Sequence, residues 1–151
     1  MNTFEDVIKF AIDSEHKAVE FYRHLLTLDQ AVGMKSFFED LVKQEQAHAA
    51  KLTRILEQHG ISGGKTTRPD YGLTLTDYLV ESEHDESNIN YQDALILAMK
   101  REKAAASLYQ VLVDNTEDEE LKKVFQFILE EEKSHQASFE SEYDKKIQPD
   151  N

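Results

Sequence analysis

Apolar residues recur along this chain at a 4,3 spacing that puts them on one stripe of a helix, and the spacing holds over four long segments. The first stripe is Phe4, Ile8, Ala11, Glu15, Ala18, Tyr22 and Leu25, and the second is Met34, Phe38, Leu41, Glu45, His48, Leu52 and Ile55. The third is Tyr91, Leu95, Ala98, Glu102, Ala105, Tyr109 and Leu112, and the fourth is Leu121, Phe125, Ile128, Glu132, His135 and Phe139. Each stripe carries ionisable groups at its middle, where an inert bundle would carry leucine.

Local signals place the helix ends. Thr3 with Asp6 opens a helix expected to run to about Leu28, and a turn through Gly33 leads to a second from about Met34 to Gln58, ended by Gly60. Asn90 with Asp93 opens a third, to about Asp114, and Thr116 with Glu119 opens a fourth, to about Lys145. All five glycines and both prolines fall outside the long periodic stretches. Residues 59–89 are long enough to be a crossover along the bundle, with a short helical turn expected at Thr76–Glu81.

The segments are also copies of one another. Helix one maps onto helix three, and helix two onto helix four, with one ungapped offset of 87 residues (102 − 15, 109 − 22, 132 − 45, 135 − 48). Residues 4–55 and 91–142 share eleven identities, among them Glu15, Tyr22, Glu45 and His48. Two helical hairpins about a pseudo-two-fold axis follow, each unable to bury its apolar face alone. The expected architecture is an all-α four-helix bundle, one domain over residues 1–151 with a long crossover.

Composition narrows the partners. A net charge of −13 repels nucleic acid and anionic membrane surfaces and attracts cations. With no cysteine, disulfides, thiolate zinc sites and iron–sulfur centres are excluded, so electrons for any redox reaction must come from an external donor. The N-terminal residues lack the features of a signal peptide, and the longest apolar run, Ala94–Met99, is too short to span a bilayer. A cytoplasmic location is the expectation.

Burying one unpaired carboxylate costs several kcal/mol, so four in core stripes require a shared explanation. Glu45 with His48 and Glu132 with His135 are i, i+3 pairs projecting from one helix face, and Glu15 and Glu102 each lie 30 residues upstream (45 − 15, 132 − 102). This is the Glu plus Glu-x-x-His constellation of two-metal carboxylate bundles. Four carboxylates and two divalent cations neutralise one another. Tyr22 and Tyr109, two turns beyond Glu15 and Glu102, are either core aromatics or donors that orient a ligand carboxylate on a neighbouring helix. His16, His24, His59 and His84 have no counterparts at the offset and are expected to face solvent, and the Glu81–Glu86 run reads as a solvated face. Gly60–Thr66 imitates a phosphate-binding loop but is a residue short and follows a helix.

The stretches Ala11–Tyr22, Glu45–His48, Glu102–Tyr109 and Glu132–His135 together resemble the ferritin-like superfamily, and within it the rubrerythrins. The resemblance implies two irons bridged by Glu45 and Glu132, with Glu15 and Glu102 as further carboxylate ligands and His48 and His135 supplying nitrogen. Manganese or zinc substitution stays open. It further implies a diferrous site that reacts with hydrogen peroxide or dioxygen.

Two departures limit what carries over. Full-length rubrerythrins add a cysteine-ligated rubredoxin domain, whereas this sequence has no cysteine, and rubrerythrins place an extra Glu on the third helix where this chain has Ala105, the repeat counterpart of Ala18. The leading expectation is therefore a di-iron peroxidase or oxidase protecting against oxidants. The alternative is a ferroxidase or iron-storage protein. The oligomeric state, a homodimer included, is open.

Overall fold

The computed structural model describes residues 2–62, 71–82 and 85–147. Four long helices form there: α1 (Phe4–Leu25), α2 (Lys35–Ser62), α3 (Tyr91–Asn115) and α4 (Glu119–Ile147). Helices α1 and α2 pack as one hairpin, α3 and α4 as another, and α1 also lies against α3. This is the all-α four-helix bundle that the repeat implies. Residues 63–70, which hold most of the loop that imitates a phosphate site, and His84 lie outside the described residues.

The starts of α1 and α3 are capped as their sequences suggest. Thr3 Oγ1 accepts from the Asp6 backbone at 3.1 Å while the Asp6 carboxylate accepts from the Thr3 backbone at 3.0 Å, a reciprocal pair that satisfies two orphan donors. Asn90 accepts from the Asp93 backbone at 2.8 Å.

Other boundaries move. Helix α1 stops short of the expected Leu28 because the Thr27 amide and hydroxyl both take the His24 carbonyl, at 2.9 and 2.6 Å, and the chain continues as a 3-10 turn over Asp29–Met34. Helix α2 passes through Gly60 to Ser62. Helix α4 is capped by Asp118, whose Oδ1 accepts from the Leu121 backbone at 3.0 Å, and not by Thr116. The Thr116 hydroxyl is buried and donates to the Leu112 carbonyl at the end of α3.

The stripes meet in two apolar clusters. One gathers Ile8, Leu52, Leu112, Phe125 and Ile128 around Tyr109, and the other gathers Leu25, Phe38, Leu41, Leu95 and Phe139 around Tyr22. Most stripe residues are buried, but the buried face is wider than the stripe and takes in Val7, Val19, Phe21, Leu108 and Leu129. Ala18 and Ala105 are only half-buried.

The crossover is tied down at both ends of its course. The Tyr71 amide donates to the Asn2 carbonyl at 3.0 Å and Asn2 Nδ2 to the Leu73 carbonyl at 2.6 Å. A 3-10 turn over Leu75–Tyr78, in place of the expected Thr76–Glu81, ends where the Leu79 amide takes the Thr76 carbonyl and the backbone becomes extended. Arg101 of α3 then holds the strap: its guanidinium donates to Glu86 at 2.9 Å and sits 5.0 Å over the Phe21 ring. Among the described residues no helix is long and apolar enough to cross a membrane.

Candidate metal centre

Between the two apolar clusters lies a layer of ionisable side chains. Helix α1 contributes Glu15, α2 Glu45 and His48, α3 Glu102, and α4 Glu132 and His135, each no more than 4% exposed. The i, i+3 spacing on α2 and α4 turns each Glu and His toward the same point. All six residues singled out by the repeat are thereby brought together, one from each of α1 and α3 and two from each of α2 and α4.

Their donor atoms form two groups, Glu15, Glu45, His48 and Glu132 in one and Glu45, Glu102, Glu132 and His135 in the other, with all atoms of a group within 4.8 Å of one another. Glu45 and Glu132 belong to both. His48 Nδ1 is 3.2 Å from Glu132 Oε1 and 3.5 Å from Glu15 Oε2, and His135 Nδ1 is 3.3 Å from Glu45 Oε1 and 3.5 Å from Glu102 Oε2.

The inner atoms of all six side chains (Glu15 Oε2, Glu45 Oε1, His48 Nδ1, Glu102 Oε2, Glu132 Oε1 and His135 Nδ1) are buried without a hydrogen-bond partner. Buried polar atoms are nearly always partnered, and six orphans gathered in two overlapping groups fit the donor set of a cation site. Oxygen and imidazole nitrogen together suit first-row divalent metals such as iron, manganese and zinc.

The outer atoms of four of these side chains are held by the opposite half of the repeat. The Tyr109 hydroxyl donates to Glu15 Oε1 at 2.6 Å, and the Tyr22 hydroxyl donates to Glu102 Oε1. His48 Nε2 lies 2.7 Å from Glu131 Oε1 on α4, and His135 Nε2 lies 2.6 Å from Gln44 Oε1 on α2. Each imidazole thus spends its outer nitrogen on an acceptor and keeps Nδ1 for the site.

Without metal, the carboxylates compete. Burial first, and then repulsion from neighbouring carboxylates, raise Glu45 and Glu132 well above the usual range. Burial also pushes Glu15 up, but the proximity of Glu45, His48 and the Tyr109 hydroxyl outweighs it and leaves this carboxyl below its ordinary value. Burial pulls His48 down, yet Glu15, Glu45 and Glu131 overcome that and lift it to about 9. Burial and the nearby carboxylates raise Tyr22 and Tyr109 well above their ordinary value, so both remain protonated donors.

A cavity of about 70 Å³ runs between α1 and α3 to these carboxylates. Ala11, Ala18, Ala104 and Ala105 line its walls, Tyr78, Leu79 and Val80 of the crossover roof it, and Glu15, Glu45, Glu102 and Glu132 form its floor. The small side chain of Ala105 helps to keep this space open.

Other residues depart from expectation. His16 is exposed, but His24 is half-buried, and so is His59, whose ring meets Phe4 edge-on at 6.0 Å. Sequence reasoning missed Gln44 and Glu131, although they are repeat counterparts (131 − 44 = 87) directly preceding Glu45 and Glu132. It also missed Glu142, a buried carboxylate that accepts from the Tyr91 hydroxyl at 2.9 Å. In the first half those positions are Ile55 and Phe4, so the repeat gave no signal for them.

A family model described as rubrerythrin matches residues 6–143. A candidate ferritin-like diiron-carboxylate protein from Thermotoga maritima superposes with a TM-score of 0.73 at 21% identity, over 95% of this chain and 97% of that one. A hypothetical protein from Pyrococcus furiosus superposes with a TM-score of 0.69 at 24% identity, over 93% of this chain and 87% of that one. At such identities these likenesses speak for the fold. No curated protein matches the chain.

Proposed function

This chain belongs to the rubrerythrin family, and on that premise we propose that it is a di-iron carboxylate redox protein that reacts with hydrogen peroxide or dioxygen, drawing electrons from an external donor. The observation that carries the reading is the pair of four-residue donor groups sharing Glu45 and Glu132, with one orphaned inner atom on each of six buried side chains.

Iron held there would supply the electron-transfer chemistry that no side chain of this chain provides. Glu15, Glu45, Glu102 and Glu132 would balance the charge of two divalent ions, and carboxylates can change how many oxygens they offer as that charge rises. His48 and His135 offer Nδ1, with Glu131 and Gln44 fixing the proton on each Nε2. Tyr22 and Tyr109 keep their protons and hold Glu102 and Glu15 in place. The apolar clusters above and below exclude bulk water, and the alanine-lined cavity admits a molecule of the size of peroxide or dioxygen.

The test is single-turnover optical spectroscopy of the ferrous protein after addition of peroxide or dioxygen. The reading expects growth of ferric absorption bands. A spectrum that stays unchanged with iron bound would sink it.

A further inference from the structure

We infer that the two metal positions are unequal, and that Glu131 makes the one on the His48 side the tighter. The inference rests on the metal-site reading above and goes beyond it, because the internal repeat predicts two equal half-sites. Each half contributes two Glu ligands, one His ligand and one Tyr donor.

The symmetry breaks directly behind the imidazoles. His48 Nε2 faces the Glu131 carboxylate at 2.7 Å, whereas His135 Nε2 faces the Gln44 side-chain oxygen at 2.6 Å. A cation on Nδ1 requires the proton on Nε2, so each partner must act as an acceptor. A carboxylate does so with a charge-assisted bond that makes the imidazole a stronger donor, and it adds a full negative charge to that side. The amide oxygen of Gln44 adds none.

Glu131 is placed to exert this effect. Its side chain is 25% exposed, so solvent screens its field only in part. Other charges near the cavity are already engaged: Lys17 with Asp13 at 3.0 Å, and Arg101 with Glu86 at 2.9 Å. Of the other charged differences, Lys133 and Glu130 pair with one another at 3.9 Å, and the buried Glu142 takes the Tyr91 hydroxyl at 2.9 Å, so neither faces an imidazole as Glu131 does. Tyr22 stacks on Phe139 at 5.6 Å between centroids, where Tyr109 has the repeat counterpart Leu52 (139 − 87) in its cluster.

The experiment titrates the metal-free full chain, labelled with 15N-histidine, with Zn2+ as a diamagnetic probe and follows the imidazole nitrogens by NMR. The first equivalent should shift His48 Nδ1 and the second His135 Nδ1, with an affinity difference of about 10- to 100-fold. Glu131→Gln should collapse the difference, as should Gln44→Glu by strengthening the other side. The double swap should reverse the order. Both changes are nearly isosteric, and each variant retains an acceptor for the imidazole. Two zinc ions bound with His135 first, or with an order indifferent to these variants, overturns this inference alone. No zinc bound at the histidines overturns the metal-site reading together with it.

Discussion

Tyr109 on α3 donates its hydroxyl proton to Glu15 on α1 at 2.6 Å, and Tyr22 on α1 returns the relationship to Glu102 on α3. Each hairpin therefore orients a carboxylate of the other. Tyr109→Phe removes the donor with almost no change in shape and leaves a buried carboxylate oxygen without its partner. Metal affinity should fall by about 10- to 100-fold, measured by competition with a chelator, and stability by roughly 1.5–3 kcal/mol, measured by denaturation. Unchanged values for both would reduce the tyrosines to core aromatics.

Removing metal should destabilise the bundle, since the four carboxylates then face one another without a counter-charge. A ligand that binds only the folded state stabilises it by about 4 kcal/mol when present at a thousand times its dissociation constant. Thermal scans with iron and with chelator should differ accordingly. Equal melting temperatures would contradict a buried site.

The metal-free protein should lose stability as pH rises. His48 is lifted from 6.5 to about 9, so the folded state holds this proton more tightly than the unfolded state. That contribution is complete below about pH 6.5 and is lost on rising to about pH 9, a change on the order of 3 kcal/mol. The raised Glu45 and Glu132 act in the same direction from their ordinary 4.5 upward. Glu15, which is lowered, opposes them only at the acid end: its contribution is present above 4.5 and lost as pH falls below it. Metal binding displaces these protons, so its affinity should instead increase with pH. Denaturation at a series of pH values with chelator, and metal competition over the same series, check both signs.

Filling the cavity should separate metal binding from reaction. Ala105 is half-buried on the wall of the cavity and is not among the donor residues. Ala105→Phe should leave metal content unchanged and slow oxidation of the ferrous protein by about tenfold or more, about 1.4 kcal/mol on the barrier. Stopped-flow rates with dioxygen and with peroxide provide the check. Undiminished rates would place the oxidant's approach elsewhere.

Much of this arrangement is legible in the sequence because the 87-residue offset (102 − 15) doubles every signal. A single Glu-x-x-His on a helix says little, but two copies on core stripes, each with its upstream Glu, lead to the six side chains that converge. What was not legible has physical reasons. Thr116 resembles a cap in sequence, but its burial and its bond to the Leu112 carbonyl leave the capping of α4 to Asp118. Gln44 and Glu131 differ in type, and their contacts cross between α2 and α4, so neither identity nor periodicity marked them. The roofing of the cavity by Tyr78, Leu79 and Val80 depends on how Arg101 anchors the crossover, a tertiary contact with no local signature.

The most direct measurement is an anaerobic ferrous titration with elemental analysis, on the natural chain and on Glu45→Ala. With Glu45 shared by both donor groups, the natural chain should retain roughly two irons and the variant should retain neither tightly. Iron content that is absent from the natural chain, or the same in both proteins, would contradict the account.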